Sequence, residues 1–515
     1  MWQRTHFYLR QPKYVIRFIV FCLLVIIAAF EIKRETRNVP LSKTEEKSVE
    51  TTTEAPEAFE VFLRSAYYYP TSKSLGDNAL AFVFIADFHW PSNVKNVTVR
   101  AWNNADNKIS HCKLEIMNPW HDRKCKLVGI YSSCEGIEGM ERLEINLGGD
   151  VYQEVNFVTV SYQKKDVVHC IAPLFAAERW QLLAFAAHTY RRFGSFMHLY
   201  VRSMTRPVYD LAMVYEKEGY LKMQPWSRIK FMSIPDYMFN PNQQMAFRSQ
   251  EAAQTDCLLQ YKESTEFITF MDLDDVLIPR LAPTYLEEFT KLIPGFDYVH
   301  YHKENVDFEA SMHTNTFSMD QIFKTVRFQN IAETGKYATR PTLLNYTAIH
   351  FPTLLSNPQP NGNGLPHFVD KEKNVIVHLK NFLNLGSSKE ERRIRPFPFK
   401  NNSMTFNETD VVAIEEDFRR IYSKHPTVWR AQPSTTIYIQ HIAKCFHKKY
   451  YQHWNYNHPE RITYCPNPDM CRIPQTIKVP CANADGVFFS TEHGSVINLH
   501  YARNDGFTIE DRCLP

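Results

Sequence analysis

An apolar strand that ends abruptly in acid constrains this chain more than any other feature. Residues 266–279 read Glu-Phe-Ile-Thr-Phe-Met-Asp-Leu-Asp-Asp-Val-Leu-Ile-Pro, which places Asp272, Asp274 and Asp275 directly after a buried-type run. In open α/β sheets the ligand crevice lies beyond the carboxyl ends of the strands. Three acids bunched there repel one another unless a cation sits among them. Carboxylate oxygens suit hard divalent ions such as Mn²⁺ or Mg²⁺. An Asp-x-Asp at a strand end can therefore hold such an ion against the phosphates of a nucleotide-sugar. The same pattern is also an ordinary loop or helix cap, so position and context must decide.

The chain has 515 residues, 44% of them hydrophobic and 14% aromatic, which is enough for a large packed core in two to four domains. A net charge of +3 gives no support for nucleic-acid binding. Residues 18–30 form an unbroken apolar run, extended backward by Tyr14, Val15 and Ile16, with Arg17 able to snorkel. Arg4, Arg10 and Lys13 precede it, and no small-x-small cleavage site clearly follows. These features predict a single-pass type II anchor over 14–32, with 1–13 cytoplasmic and the body luminal. A cleaved signal is the competing reading. The short span fits an early-secretory membrane better than the plasma membrane. Of 11 cysteines, Cys22 lies in the run and the rest follow it, which predicts disulfides in an oxidising compartment. Sequons at Asn96, Asn345, Asn401 and Asn407 predict a glycosylated body.

Residues 33–58 are rich in Thr, Glu, Lys and Ser and read as a flexible stem. Residues 59–165 carry short runs of Val, Ile, Phe and Tyr between polar turns, which predicts a β-rich luminal module. From about 166 the period changes. Strands over 167–173, 196–202, 220–225 and 267–271 alternate with helices over 176–193, 208–217 and 244–262. Short links between them predict βαβ crossovers and a parallel sheet. Further strands are expected over 298–302, 324–328, 336–340 and 375–379. Residues 356–364 read as a mobile loop. Residues 436–515 hold five cysteines and little period, and read as a disulfide-rich C-terminal extension whose odd count leaves one cysteine to pair elsewhere or stay free.

Over roughly 165–435 the chain resembles glycosyltransferase family 92. The resemblance rests on Cys170-Ile-Ala-Pro-Leu-Phe with Glu178-Arg-Trp180, and on Tyr215-Glu-Lys-Glu-Gly219 with Pro225-Trp226. It continues through Gln250-Glu-Ala-Ala-Gln-Thr-Asp256-Cys257, Phe270-Met-Asp-Leu-Asp-Asp-Val-Leu-Ile-Pro279, and Gly335-Lys-Tyr with Arg340-Pro341. The resemblance implies a Golgi membrane enzyme with an α/β, GT-A-like nucleotide-sugar-binding sheet over 166–435. It also implies an inverting, metal-dependent transfer of a hexose, galactose first, from a UDP-sugar to a glycan on a glycoprotein.

Chemistry and motif together imply the roles. Asp274 is the direct metal ligand, Asp272 a ligand or the group that orients the ribose, and Asp275 a supporting acid or turn cap. His378, in an otherwise apolar run, is the late imidazole that completes the metal site, and Glu333 is the candidate base for the acceptor hydroxyl. Trp180 and Trp226 read as core rather than sugar platforms. Two other classes compete. Asp272-Leu-Asp-Asp-Val is similar to the nucleophile motif of haloacid-dehalogenase-like phosphatases, but that fold places it on its first core strand and needs a later acidic pair, which is not found. A membrane-anchored, non-catalytic glycan-binding protein would leave the clustered carboxylates without a purpose.

Overall fold

The computed structural model describes residues 58–93, 96–118, 124–352, 365–384, 406–450, 465–494 and 496–514. The expected anchor and most of the stem, the mobile loop over 356–364 and Asn401 lie outside them. Among the described residues no helix is long and apolar enough to cross a membrane.

Two large sheets carry the body. The one that carries the acid turn is built outward from Lys165–Leu174, which pairs in parallel with Ser195–Val201 on one side and Thr265–Met271 on the other. Leu221–Pro225 adds in parallel beyond Ser195–Val201. In chain order these four strands stand 3-2-1-4, so the chain reverses direction between Lys165–Leu174 and Thr265–Met271. That is a topological switch point, where the carboxyl ends of two neighbouring strands open a crevice. The helices Trp180–Arg192 and Arg206–Lys217 make the crossovers. Gly194 and Gly219 follow them with φ of +78° and +77°, the left-handed stop that glycine adopts without strain.

Beyond Thr265–Met271 the sheet turns antiparallel. Arg327–Thr339 pairs with it and with Tyr298–Ala310, which in turn lies parallel to Ile376–Asn384. The strand expected over 324–328 is the end of the helix Met319–Thr325 and the start of Arg327–Thr339, which continues through most of the second expected strand at 336–340. An added Cβ at Gly335 would lie 1.7 Å from the Tyr301 carbonyl oxygen, so only glycine lets the strands approach there.

The helix expected over 244–262 is broken. It runs only over Gln250–Tyr261, and Phe247, Arg248 and Ser249 before it hold φ of +45°, +60° and +54°. Three successive non-glycine residues in the left-handed region are costly and persist only where the surroundings fix them.

The second sheet corrects the reading of the tail as aperiodic. Cys481–His493 and Ile497–Glu510 form a long antiparallel pair, and Ile497–Glu510 joins Phe59–Tyr69 in parallel. The tail therefore completes the sheet of the β-rich module, and Cys481–His493 also pairs with Ser203–Thr205 beside the sheet that carries the acid turn. Five disulfides bind the body: Cys112–Cys134, Cys125–Cys465, Cys170–Cys257, Cys445–Cys471 and Cys481–Cys513. The odd tail cysteine is Cys465, which reaches back to Cys125 across 340 residues. Trp180 and Trp226 are both buried core residues. Of the sequons, Asn96 and Asn407 are exposed and Asn345 is half-buried.

Candidate active site

Register assembles the site from distant parts of the sequence. After Met271 the chain turns at Asp272–Asp274, then Asp275–Leu277 pairs antiparallel with Ile376–Asn384, setting Asp275 opposite His378. The parallel neighbour Tyr298–Ala310 sets Asn305 opposite His378. Arg327–Thr339 sets Glu333 opposite Lys303.

Ligand atoms of Asp274, Asp275 and His378 lie within 4.8 Å of one another. His378 Nε2 is 3.5 Å from Asp274 Oδ2, and its Nδ1 is 2.7 Å from Asn305 Oδ1. Asn305 Nδ2 donates to Glu333 Oε1 at 2.9 Å, which fixes the amide so that its oxygen faces the ring. Nδ1 then donates to Asn305, and Nε2, facing Asp274, is the nitrogen free to bind a metal ion, the arrangement of a metal-binding imidazole.

The three acids have different surroundings. Asp272 has both oxygens engaged: Oδ1 accepts from Gln250 Nε2 at 2.9 Å, and Oδ2 lies 3.2 Å from Lys336 Nζ. Burial opposes its ionisation, but Lys336 and Lys303 outweigh that and hold its carboxyl well below the usual range. Asp275 is fully buried, with Oδ2 3.3 Å from Lys303 Nζ and Oδ1 without a hydrogen-bond partner among the described residues. Burial, and then the charge on Asp272, push its carboxyl up. Lys303 is itself held protonated: burial works against the charge, and Asp275, Asp272 and Asp274 more than offset it. Asp274 is the open member, its side chain 39% exposed.

Among the described residues the ion-sized grouping is Asp274, Asp275 and His378, while Asp272, expected as a further ligand, is engaged by Lys336 and Gln250. Glu333, expected as the base, is held by cations. Its Oε1 lies 2.6 Å from Lys380 Nζ, and Oε2 lies 3.8 Å from Lys303 Nζ. Burial raises its carboxyl, yet the bonds from Lys380 and Asn305 bring it down to about 2, which makes it a weak proton acceptor. Its place is to orient Asn305 and, through it, His378. Lys303 and Lys336, the internal cations of the acid cluster, could not be found from the sequence, because both stand in strands of mixed polar and apolar residues where a lysine carries no special mark.

A divalent ion fits this donor set. Two carboxylates and one neutral imidazole suit Mn²⁺, and the unpartnered Asp275 Oδ1 is a buried acceptor that a cation would satisfy. Beside the cluster a pocket opens at the switch point, lined by Ala172–Arg179, Leu182, Arg248, Asp272–Asp274 and Ile439. Ala176 on its wall has φ of +43°. Glu178 is turned away from chemistry: its two oxygens accept from the backbone N–H groups of Ile437 and Ile439 at 2.8 and 2.7 Å, at the start of the helix Tyr438–Lys449.

The family model of glycosyltransferase family 92 matches residues 165–422, which span the catalytic sheet and every residue of the acid–imidazole cluster. Two Caenorhabditis elegans proteins, glycosyltransferase family 92 protein C33H5.2 and glycosyltransferase family 92 protein F13G3.3, are 35% and 36% identical to this chain, each over 88% of it and 90% of their own length. Among solved structures, the crystal structure of S. aureus TarS 1-349 is similar over 42% of this chain and 60% of that one, at 14% identity and a TM-score of 0.23, too low to bear on fold or function. The relatives and the family model set the class: the protein is a glycosyltransferase. It belongs to glycosyltransferase family 92.

Proposed function

We propose that the protein moves a hexose, galactose first, from a UDP-sugar to a hydroxyl of a glycan on a glycoprotein, with inversion at the anomeric carbon. The observation that carries this reading is the convergence of Asp274, Asp275 and His378 within 4.8 Å, beside a pocket at the switch point of the family's own domain. The donor and the galactose come from the family resemblance.

The residues divide the work. Lys303 lies against Asp275 and Lys336 against Asp272, so the acid turn keeps its shape before any ligand arrives. Glu333 and Asn305 set the His378 tautomer. Asp274, Asp275 and His378 would hold Mn²⁺ or Mg²⁺, which when bound supplies a counter-charge for the phosphate oxygens of the leaving nucleotide. The acceptor hydroxyl gives its proton to a base on its own side and attacks the anomeric carbon as the bond to the departing phosphate breaks on the opposite face, and a single displacement of that kind inverts the centre.

The two rival readings lose their ground. A dehalogenase-like phosphatase would carry its motif on the first core strand, whereas here it follows the fourth strand of the catalytic sheet in chain order. A non-catalytic glycan-binding protein has no use for an imidazole set in one tautomer against two acids. The test is a panel of UDP-sugars offered to the purified body with Mn²⁺ and N-glycan acceptors, with the product anomer read by NMR. A product of retained configuration overturns the inverting step. Nucleotide release from no UDP-sugar, with or without acceptor, overturns the donor assignment.

The proposal extends to topology: a type II protein of the Golgi membrane, anchored over 14–32, with a stem to about 58 and a luminal body. The basic residues before the apolar run support it, as do the five disulfides. Protease added to sealed microsomes is expected to leave the body intact; digestion without detergent would refute the orientation.

A further inference from the structure

Arg248 is a cation without a counterpart. It lines the switch-point pocket with Asp272 and Asp274, and its guanidinium makes no hydrogen bond or ion pair among the described residues. Its Nε is buried and unpartnered. The guanidinium lies over the Phe175 ring, whose centroid is 3.8 Å from Cζ. Burial first, and then the nearby charge of Arg202, bring its proton affinity down to about 9, with Asp469 and Asp272 pulling the other way. A half-buried guanidinium whose Nε is shielded from water and makes no hydrogen bond is costly unless an anion completes it.

The backbone around it makes the same point. Arg248 is the middle residue of the left-handed Phe247–Ser249 turn. Ser249 is buried, and its Oγ has no partner among the described residues. The helix Gln250–Tyr261 starts immediately after, and its first side chain, Gln250, reaches Asp272. A cation, an unused hydroxyl and a helix N-terminus thus stand in three successive residues, the ingredients from which anion sites are built.

That turn is held by the C-terminal tail. Phe247 N donates to Pro466 O at 2.8 Å, and Asn467 Nδ2 donates to Met245 O at 2.6 Å and also to Asn242 O. The clamp sits next to the Cys125–Cys465 bridge. It lies beyond residues 165–422, which the family model covers.

We propose that Arg248 binds the diphosphate oxygens of a nucleoside-diphosphate donor, and that Asn467 of the tail is a positioning residue that keeps Arg248 in the pocket. The inference rests on the donor reading above and assigns a residue within it. A planar guanidinium stacked on a ring presents a rigid fork to phosphate oxygens. The acids across the pocket favour a bound cation, so the two sides of a diphosphate would meet opposite charges.

Calorimetric binding of UDP and of uridine to the Mn²⁺-loaded protein tests this. Arg248→Ala is expected to weaken UDP roughly ten- to a hundredfold, the scale of a lost charged hydrogen bond, and to leave uridine unchanged. Arg248→Lys should recover part of the loss, and Asn467→Ala should reproduce part of it with uridine binding intact. UDP binding by Arg248→Ala equal to that of the unaltered protein overturns the inference while sparing the donor reading. Equal weakening of UDP and uridine overturns it too, because the residue would then be shaping the pocket rather than binding phosphate. Failure of the unaltered protein to bind UDP overturns the donor reading itself. Should Arg248→Ala not fold, Arg248→Gln takes its place: weakened UDP binding with uridine unchanged supports the inference, and UDP binding equal to that of the unaltered protein overturns it.

Discussion

Asp274→Asn is expected to lower turnover roughly a hundred- to a thousandfold, the scale on which loss of one charge-stabilising group acts, while the protein keeps its fold. The two halves of that result have separate causes. The substitution removes a full negative charge from the ion-binding set and leaves a neutral amide, a poorer ligand for a hard cation. Stability should hardly move, because the Asp274 side chain is 39% exposed and its ion-pair partner, His378 Nε2, is 3.5 Å away. Asp275 offers the contrast. It is fully buried against Lys303, so Asp275→Asn should reduce turnover and stability together. Steady-state turnover and a thermal melt on the Asp274 variant check both halves, and near-normal turnover would remove Asp274 from the mechanism.

Asp469→Ala should produce the largest loss of stability of any single change considered for this protein, about 3–5 kcal/mol, as when one partner of a buried pair is removed. Asp469 is fully buried and lies 2.9 Å from Arg202 Nη1 and 2.6 Å from Arg228 Nη1. Arg202 follows directly after Ser195–Val201 and is itself buried, so the substitution strands its charge in the interior. Burial already brings Arg202 down to about 10, with Asp469 opposing that fall. The effect should reach the pocket, because Asn467, two residues away, clamps the turn that carries Arg248. Urea unfolding measures the loss. A change under about 1 kcal/mol, the range of an exposed pair, would mean that the tail is less firmly docked than these contacts imply.

Local signals were legible in proportion to how locally they are caused. The strand into Asp272 was readable because an apolar run, three acids and a proline are all neighbours in sequence. The helix stops at Gly194 and Gly219 were readable because glycine alone accepts those backbone angles cheaply. Phe247–Ser249 left no such mark: its left-handed turn contains no glycine and is imposed by Pro466 and Asn467, more than two hundred residues away. A continuous helix was therefore the natural reading of 244–262. The strand Ile497–Glu510 escaped for a related reason. Its partner Phe59–Tyr69 stands at the other end of the body, and a stretch containing Arg503-Asn-Asp-Gly506 carries little strand propensity of its own.

The site shows the same division. Asp274 and His378 could be named from motif and resemblance, but which acids share the imidazole depends on the register between Asp275–Leu277 and Ile376–Asn384. Glu333 was read as a base by its distance along the chain. The structure puts Lys380 on one of its oxygens, a pairing that no spacing rule contains.

The account rests most heavily on a divalent ion held by Asp274, Asp275 and His378. Its direct test is UDP-sugar turnover by the purified body after treatment with EDTA and dialysis, followed as Mn²⁺ is titrated back. The account predicts no turnover in the stripped protein and saturable recovery with Mn²⁺, with Asp274→Asn failing to recover over the same range. Full turnover in the stripped protein with chelator still present would contradict it.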